Sequence, residues 1–343
     1  MSWILKGLSK GIITSRYPHK PDSYGSNWRA GIMPGEPARP HSPLPDIPDH
    51  GDHGPDPDHG PDPDDPAGTM SAGAAAANCP TRAIHIDNDL IAVDRGRCIL
   101  CGRCVEARPD LFRFDPTIEI ASLERRHIVV KNVVEDIAEN DQNLHLINSE
   151  LRKRTRALRR SVHIRHVDSG SDGSDEWEVA ALTNPIYDVA RLGIFFTASP
   201  RHADLLLITG ACVEQMREPL ARTLEAMPLP RVIMAAGVDA ISGGLISAIP
   251  NPAIPNPAIP GRPGGSPGGG VPGLLDVDVW VPGSPPSPFS LLHGILLAVG
   301  ILGERAAAHR PDPLPGGRGG SPAPAGHRVP RRQPRRRWEG SPR

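Results

Sequence analysis

The chain has 343 residues, enough for two domains, but 41 Pro and 36 Gly mark long stretches that pack no core. With 38 basic and 39 acidic side chains the net charge is -1, which excludes a global field that would recruit nucleic acid or an acidic partner. The 5 cysteines are an odd number, and four of them crowd together at metal-ligand spacing, which excludes a disulfide framework and points to a reducing, cytoplasmic compartment.

Residues 1–33 interleave Trp3, Ile4, Leu5, Leu8, Ile12 and Ile13 with Lys6, Lys10, Arg16 and Lys20, a pattern that predicts a short amphipathic basic helix. It suits peripheral contact with an anionic membrane surface or a partner, and equally a helix docked on its own domain. No small-residue cleavage site follows, so it does not read as a signal peptide. Residues 34–67, rich in Pro, Asp and His with almost nothing to bury, are expected to form a disordered linker. A compact unit is expected over 68–127. A linking helix follows within 128–160, from Val133 to Arg160, and its second half carries Arg152, Lys153, Arg154, Arg156, Arg159 and Arg160. No aromatic residue is interleaved with that run for base stacking, so it reads as a solvated face and not as a nucleic-acid site.

From residue 161 the pattern alternates. Val162–Val167 predicts a strand, Glu176–Leu182 a short helix, Leu205–Thr209 a buried strand, Met216–Ala226 a helix and Arg231–Ala236 a second buried strand. This βαβ rhythm implies a parallel sheet with helices on its faces. A low-complexity insertion, 249–272, repeats Asn-Pro-Ala-Ile-Pro from Asn251; Val277–Val281 then predicts a strand and Pro288–Ile301 a closing helix, ending the unit at 303. Residues 304–343, with the Arg331–Arg337 cluster, are expected to be a disordered, solubilising basic tail. The longest apolar run, 294–303, is about half of the roughly 20 residues a bilayer span needs, so the chain is not expected to cross a membrane by itself.

Cys98, Cys101 and Cys104 stand at C-x-x-C-x-x-C spacing, which lets one tight loop present three thiolates to a single cubane, and Gly102 eases the turn. Cys79, directly followed by Pro80, completes the set at a distance. The arrangement resembles the bacterial two-cluster ferredoxin run C-x-x-C-x-x-C-x-x-x-C-P, in which the fourth cysteine of each run serves the other cluster. Half of that pattern is missing. Counting back from Cys79, the other three cysteines of its run would fall at Thr69, Ala72 and Ala75, and the last of the second run at Arg108, before Pro109. All four missing ligands belong to the same cluster, and random decay would not sort itself so cleanly. One 4Fe-4S cluster lost whole and one kept whole is therefore the expectation. The competing readings are a zinc site, which usually takes paired C-x-x-C or C-x-x-H arms, and an apo relic. Cys212 follows a buried strand without a partner in sequence and reads as a small core residue.

The stretch from Ser161, S-V-H-I-R-H-V-D-S-G-S-D-G-S-D-E-W-E-V, resembles the small electron-transfer subunit of membrane-bound group 4 nickel-iron hydrogenases and its relative, the 20-kDa-type subunit of NADH:quinone oxidoreductase (complex I). R-H-A-D-L-L-L-I-T-G from Arg201 and V-D-V-W-V-P-G-S-P-P-S-P from Val277 carry the same likeness. The region of Cys79 to Cys104, with the basic N-terminal segment and Tyr17-Pro18, is similar to the ferredoxin-like partner subunit of those complexes. The chain thus resembles a fusion of two neighbouring subunits. The fold this implies is an α+β ferredoxin-like 4Fe-4S domain followed by an α/β flavodoxin-like parallel-sheet domain, with long disordered Pro/Gly-rich segments. The family's small subunit holds a 4Fe-4S cluster on four cysteines, at positions that here read Asp172, Asp175, Asp239 and Ser284. Hard oxygen ligands suit a cubane badly, so that cluster is expected to be lost. A hard cation such as Mg2+ among the carboxylates, or carboxylates that are simply solvated, are the alternatives. The resemblance also implies a proton or quinone path near Glu176, although a helix N-terminus explains an acidic residue there equally well.

Three functions compete. The first is an iron-sulfur electron-transfer subunit of a complex on the inner face of the cell membrane, bound to a large hydrogenase-like subunit, membrane-arm subunits and an electron donor or acceptor protein. The second is a scaffold that docks those subunits; the third is a soluble 4Fe-4S redox sensor. None needs a catalytic acid or nucleophile in this chain.

Overall fold

The computed structural model describes residues 13–19, 29–35, 71–87, 90–132, 146–153, 155–156, 161–245 and 269–302. Most of the N-terminal basic segment, nearly all of the linker, most of the low-complexity insertion and the tail therefore lie outside the described residues.

The first described strand, β1 (Gly31–Pro34), falls where the basic amphipathic pattern predicts helix. It pairs antiparallel with β4 (Phe112–Asp115), bringing Ile32 opposite Phe114. A partner so distant in sequence overrides a local pattern of only a few residues. Between them come α1 (Ala72–Ala77), whose Ser71 N-cap hydroxyl accepts from the Ala74 amide, the hairpin of β2 (Ile84–Asp87) and β3 (Leu90–Asp94), and the short α2 (Arg103–Ala107). β5 (Val129–Lys131) adds to β3, so this unit takes in strands from either side of the 68–127 stretch. Its core is Ile32, Ala75, Ala83, Ile84, Ile91, Val93 and Phe112, with Cys98 and Cys104. Each fully buried Ile, Val or Phe side chain among these is worth about 1.5–3 kcal/mol.

Residues 146–153 are helical, within the expected linking helix, whose first part lies outside the described residues. Then follow β6 (Val162–Asp168), α3 (Ser174–Ala181), β7 (Ile194–Phe196), β8 (Leu205–Thr209), α4 (Glu214–Ala226), β9 (Val232–Ala236), α5 (Val238–Ser242), β10 (Val279–Val281) and α6 (Pro288–Ala298). The strands form one five-stranded sheet in the order β10-β9-β8-β6-β7, and every neighbouring pair is parallel. Counted within the unit this is the doubly wound 2-1-3-4-5 order of flavodoxin-like folds. β8 reads as an unbroken apolar run because both of its faces are covered: Leu205 and Leu207 join one core, Leu206 and Ile208 the other. On the first face lies α6, every residue of which is buried. β7, which the sequence pattern does not reveal, is three residues long at the sheet edge.

Residues from outside the parallel-sheet unit, Tyr17, Ala121 and Leu123, join its core. Tyr17 meets Phe289 edge-on, with ring centroids 5.8 Å apart, and the Ser15 amide donates to the Ile186 carbonyl at 2.7 Å. Ser122 exchanges two backbone hydrogen bonds with Trp280 of β10, at 2.9 and 2.8 Å, and the Ala121 amide donates to Nδ1 of the buried His293. The described part of the N-terminal segment is thus docked on the chain's own fold.

Candidate metal centre

Cys79, Cys98, Cys101 and Cys104 line one cavity, together with Ile32, Ala75, Ala83, Ile84, Val93 and Ile99. Local backbone chemistry brings them there. α1 ends at Asn78 and hands over directly to Cys79, whose amide donates to the Ala76 carbonyl. At the end of β3 the Asp94 carboxylate accepts from the Gly96 amide at 2.9 Å, and the Cys98 amide donates to the Asp94 carbonyl, which folds the chain into the cysteine loop. That loop turns back through Leu100 at φ 56 and Gly102 at φ 79. The second position is one where glycine is unstrained. A Cβ there would also sit 3.2 Å from the Phe114 ring.

Cys98 and Cys104 are buried, Cys79 half-buried and Cys101 exposed, and no disulfide joins any of them. Burial pushes the Cys98 thiol up to about 12, against a backbone hydrogen bond at Leu100; repulsion from the other three cysteines adds to the rise. Burial likewise pushes Cys104 up to about 11, with Cys101 and Cys79 adding to it. Thiols in such a place ionise only with a cation among them, and a coordinating metal deprotonates a thiol outright. Soft donors in an apolar shell fit an iron-sulfur cluster. Among the described residues, no three His, Cys, Asp or Glu side chains converge on a point where one metal ion could hold them all. A cubane asks for less convergence than the single tetrahedral ion of a zinc site, because each thiolate meets its own corner iron.

The positions at which the ferredoxin pattern would set the ligands of a second cluster carry no cysteine. Ala72 and Ala75 lie on α1, which rests against α2, and Ala75 is buried. Arg108 ends α2 and pairs with Asp110 at 2.6 Å. Thr69 lies outside the described residues.

In the parallel-sheet unit Asp172, Asp175, Asp239 and Ser284, which the resemblance marks as ligand positions, fall beyond the carboxyl ends of β6, β9 and β10, the edge where doubly wound sheets bind ligands. Asp172 sits in the loop after β6; its Oδ1 accepts from the Ser174 hydroxyl at 2.6 Å and from the Ser174 amide, which holds its carboxyl below the usual range. Asp175, in the first turn of α3, is 4% exposed, and burial, followed by repulsion from Asp239, Glu176, Asp172 and Asp168, pushes it up to about 8. Burial also raises Asp239, with Asp172 and Glu176 adding to it. Gly237, at φ 89, lets this packing exist, since a Cβ there would stand 2.1 Å from Asp175 Oδ2. The Val238 amide donates to the Gly283 carbonyl at 2.9 Å and ties the loop before Ser284 to the start of α5, which carries Asp239, while Ser284 itself is exposed. The three aspartates are close enough to repel one another. The absence of a converging metal set extends to these carboxylates, so the hard-cation reading has no geometric support among the described residues.

Glu176 accepts from the Ser171 hydroxyl at 2.6 Å and from the Thr209 hydroxyl; Thr209 Oγ1 lies 2.9 Å from His166 Nε2. Burial holds His166 below its usual value. Thr209 and His166 carry no sequence signal: the register of β6 on β8, with Asp168 opposite Thr209, brings them to Glu176. Cys212, 1% exposed, packs in the core beneath β8.

Two family profiles match the chain: the 20 Kd subunit of NADH ubiquinone oxidoreductase over residues 173–298, and a 4Fe-4S single cluster domain over residues 91–144. Formate hydrogenlyase subunit 7 of Escherichia coli is 32% identical over 174 residues, 51% of this chain and 61% of that protein. The probable membrane-bound hydrogenase subunit mbhJ of Pyrococcus furiosus is 34% identical over 145 residues, 42% of this chain and 78% of that protein. NAD(P)H-quinone oxidoreductase subunit K of a Synechococcus strain is 33% identical over 133 residues, 39% of this chain and 49% of that protein. The chain therefore spans less than two thirds of the first and third of these relatives.

Proposed function

The chain belongs to the family of the 20-kDa subunit of NADH:ubiquinone oxidoreductase, and on that premise we propose that it is an iron-sulfur electron-transfer subunit of a membrane-associated oxidoreductase complex, with its one 4Fe-4S cluster on Cys79, Cys98, Cys101 and Cys104. The observation that carries this reading is the convergence of those four cysteines on one apolar cavity. Bound there, the cluster supplies one-electron oxidation and reduction. The protein's own part is to hold it through four thiolates, to keep water away with Ile32, Ile84, Val93 and Ile99, and to leave the Cys101 corner open toward a donor or acceptor. The partners proposed are a large hydrogenase-like or complex I-like subunit and membrane-arm subunits. The location proposed is the cytoplasmic side of the membrane, as a peripheral subunit; no described helix is long and apolar enough to cross a bilayer.

The family's second cluster is proposed to be absent, because carboxylates stand at Asp172, Asp175 and Asp239 and one of them is buried beneath Gly237. That interruption favours a scaffold role for the parallel-sheet unit within the same complex, with Glu176, Thr209 and His166 as a short hydrogen-bonded path for protons. Low-temperature EPR of the reduced protein tests the whole reading. One S = 1/2 4Fe-4S signal is expected, abolished by Cys101→Ser and unchanged by Asp172→Ala; two interacting signals would overturn the assignment of a single cluster.

A further inference from the structure

Thr81 is 3% exposed, and among the described residues the partner of its hydroxyl is Cys79 Sγ, at 3.8 Å. A buried hydroxyl normally has a hydrogen-bond partner, so this side chain is placed to meet the sulfur. As a free thiol Cys79 could be either donor or acceptor. As a metal ligand it is a thiolate with no proton to give, and the hydroxyl must donate. The same sulfur accepts from the Ala83 amide at 3.3 Å. Pro80 follows Cys79 directly and has no amide to offer. A side-chain donor therefore stands in for a backbone donor that the Cys-Pro junction removes.

We propose that Thr81 sets the reduction potential of the centre by donating its buried hydroxyl to the Cys79 thiolate. The inference rests on the reading of Cys79 as a cluster ligand. Reduction adds one electron, and part of the added negative charge spreads onto the ligand sulfurs. A donor aimed at a sulfur stabilises the reduced form more than the oxidised one and raises the potential. Thr81 touches no iron; it is a positioning and tuning residue, acting through Cys79. Arg103, which also lines the cavity, adds a positive charge of the same sign of effect, but it is exposed and screened by water.

The test is a mediated redox titration of the full chain, followed by EPR of the reduced cluster, in the unmodified protein, Thr81→Val and Thr81→Ser. Valine keeps the shape and removes the donor; serine restores it. Thr81→Val is expected to titrate at a more negative midpoint with its iron content retained, and Thr81→Ser to return toward the unmodified value. A merely structural role for Thr81 would change cluster yield and not the midpoint. If valine lowers the yield, the fraction that assembles is titrated alongside Thr81→Ala, since a midpoint does not depend on occupancy. An unmoved midpoint in Thr81→Val or Thr81→Ala overturns the role of Thr81 and leaves the four-cysteine reading standing. An unmodified protein that assembles no cluster overturns both.

Discussion

Asp175, which the resemblance marks as a ligand position, is a buried carboxyl in the first turn of α3. Its folded-state value of about 8 lies far above its ordinary 3.8, chiefly because it is buried. Between those two values the folded chain holds a proton that the unfolded chain has released. Stability therefore falls as pH rises through this window, and the loss is complete above about 8. Asp175→Asn removes the titrating group, so it is expected to raise the melting temperature above about pH 8 by the equivalent of a few kcal/mol at most, the gain shrinking toward pH 4. Melting curves across that range check it; a gain that does not change with pH would show that Asp175 is ionised in the fold. The family resemblance singles out Asp172, Asp175 and Asp239, and the strand pattern makes legible that they follow β6 and β9. The burial of one aspartate beneath Gly237, and the link from Glu176 through Thr209 to His166, were not legible. Both depend on strand register, which brings together residues from different turns of the chain.

Among the elements, the long apolar runs and the amphipathic helices were the readable part: β6, β8, β9, α4 and α6 fall where periodicity places them. The short strands were not. β1 has four residues, one of them Pro34, and β7 has three, too few for a period-two pattern to stand out. β1 earns its place through contacts that no local pattern records. Gly31 lies against the Arg95 side chain, where a Cβ would be 2.9 Å from Nε, and Arg95 pairs with Asp115 of β4 at 2.5 Å with both side chains almost fully buried. Nε and Nη1 of that guanidinium have no partner among the described residues, so the pair is already an expensive one. Removing its counter-charge leaves a buried cation uncompensated. Asp115→Ala is expected to cost about 3–5 kcal/mol and to loosen the cysteine loop that starts after β3. Chemical denaturation together with iron retention measures both effects, and a variant as stable as the parent would mean that water reaches Arg95.

At the scale of the molecule, the resemblance to a fusion of two subunits undersells how far the two units have merged. Tyr17 and Tyr187 both meet Phe289 edge-on, Arg191 donates to the Tyr17 carbonyl at 2.6 Å, and Ser122 is hydrogen-bonded to Trp280. With Tyr17, Ala121 and Leu123 packed into the core of the parallel-sheet unit, the units are expected to unfold together, so calorimetry of the cluster-loaded chain under anaerobic conditions is expected to show one transition. Two well-separated transitions would show that each unit is stable alone. The pairing of Ser122 with Trp280 has one more effect. β10 is an outer strand of the sheet, and a bare outer strand is a template on which another copy of the chain can stack, the first step toward aggregation. Here the chain's own segment occupies that strand at Trp280, and the opposite border is only the three residues of β7. A newly made chain thus offers its siblings little to stack on.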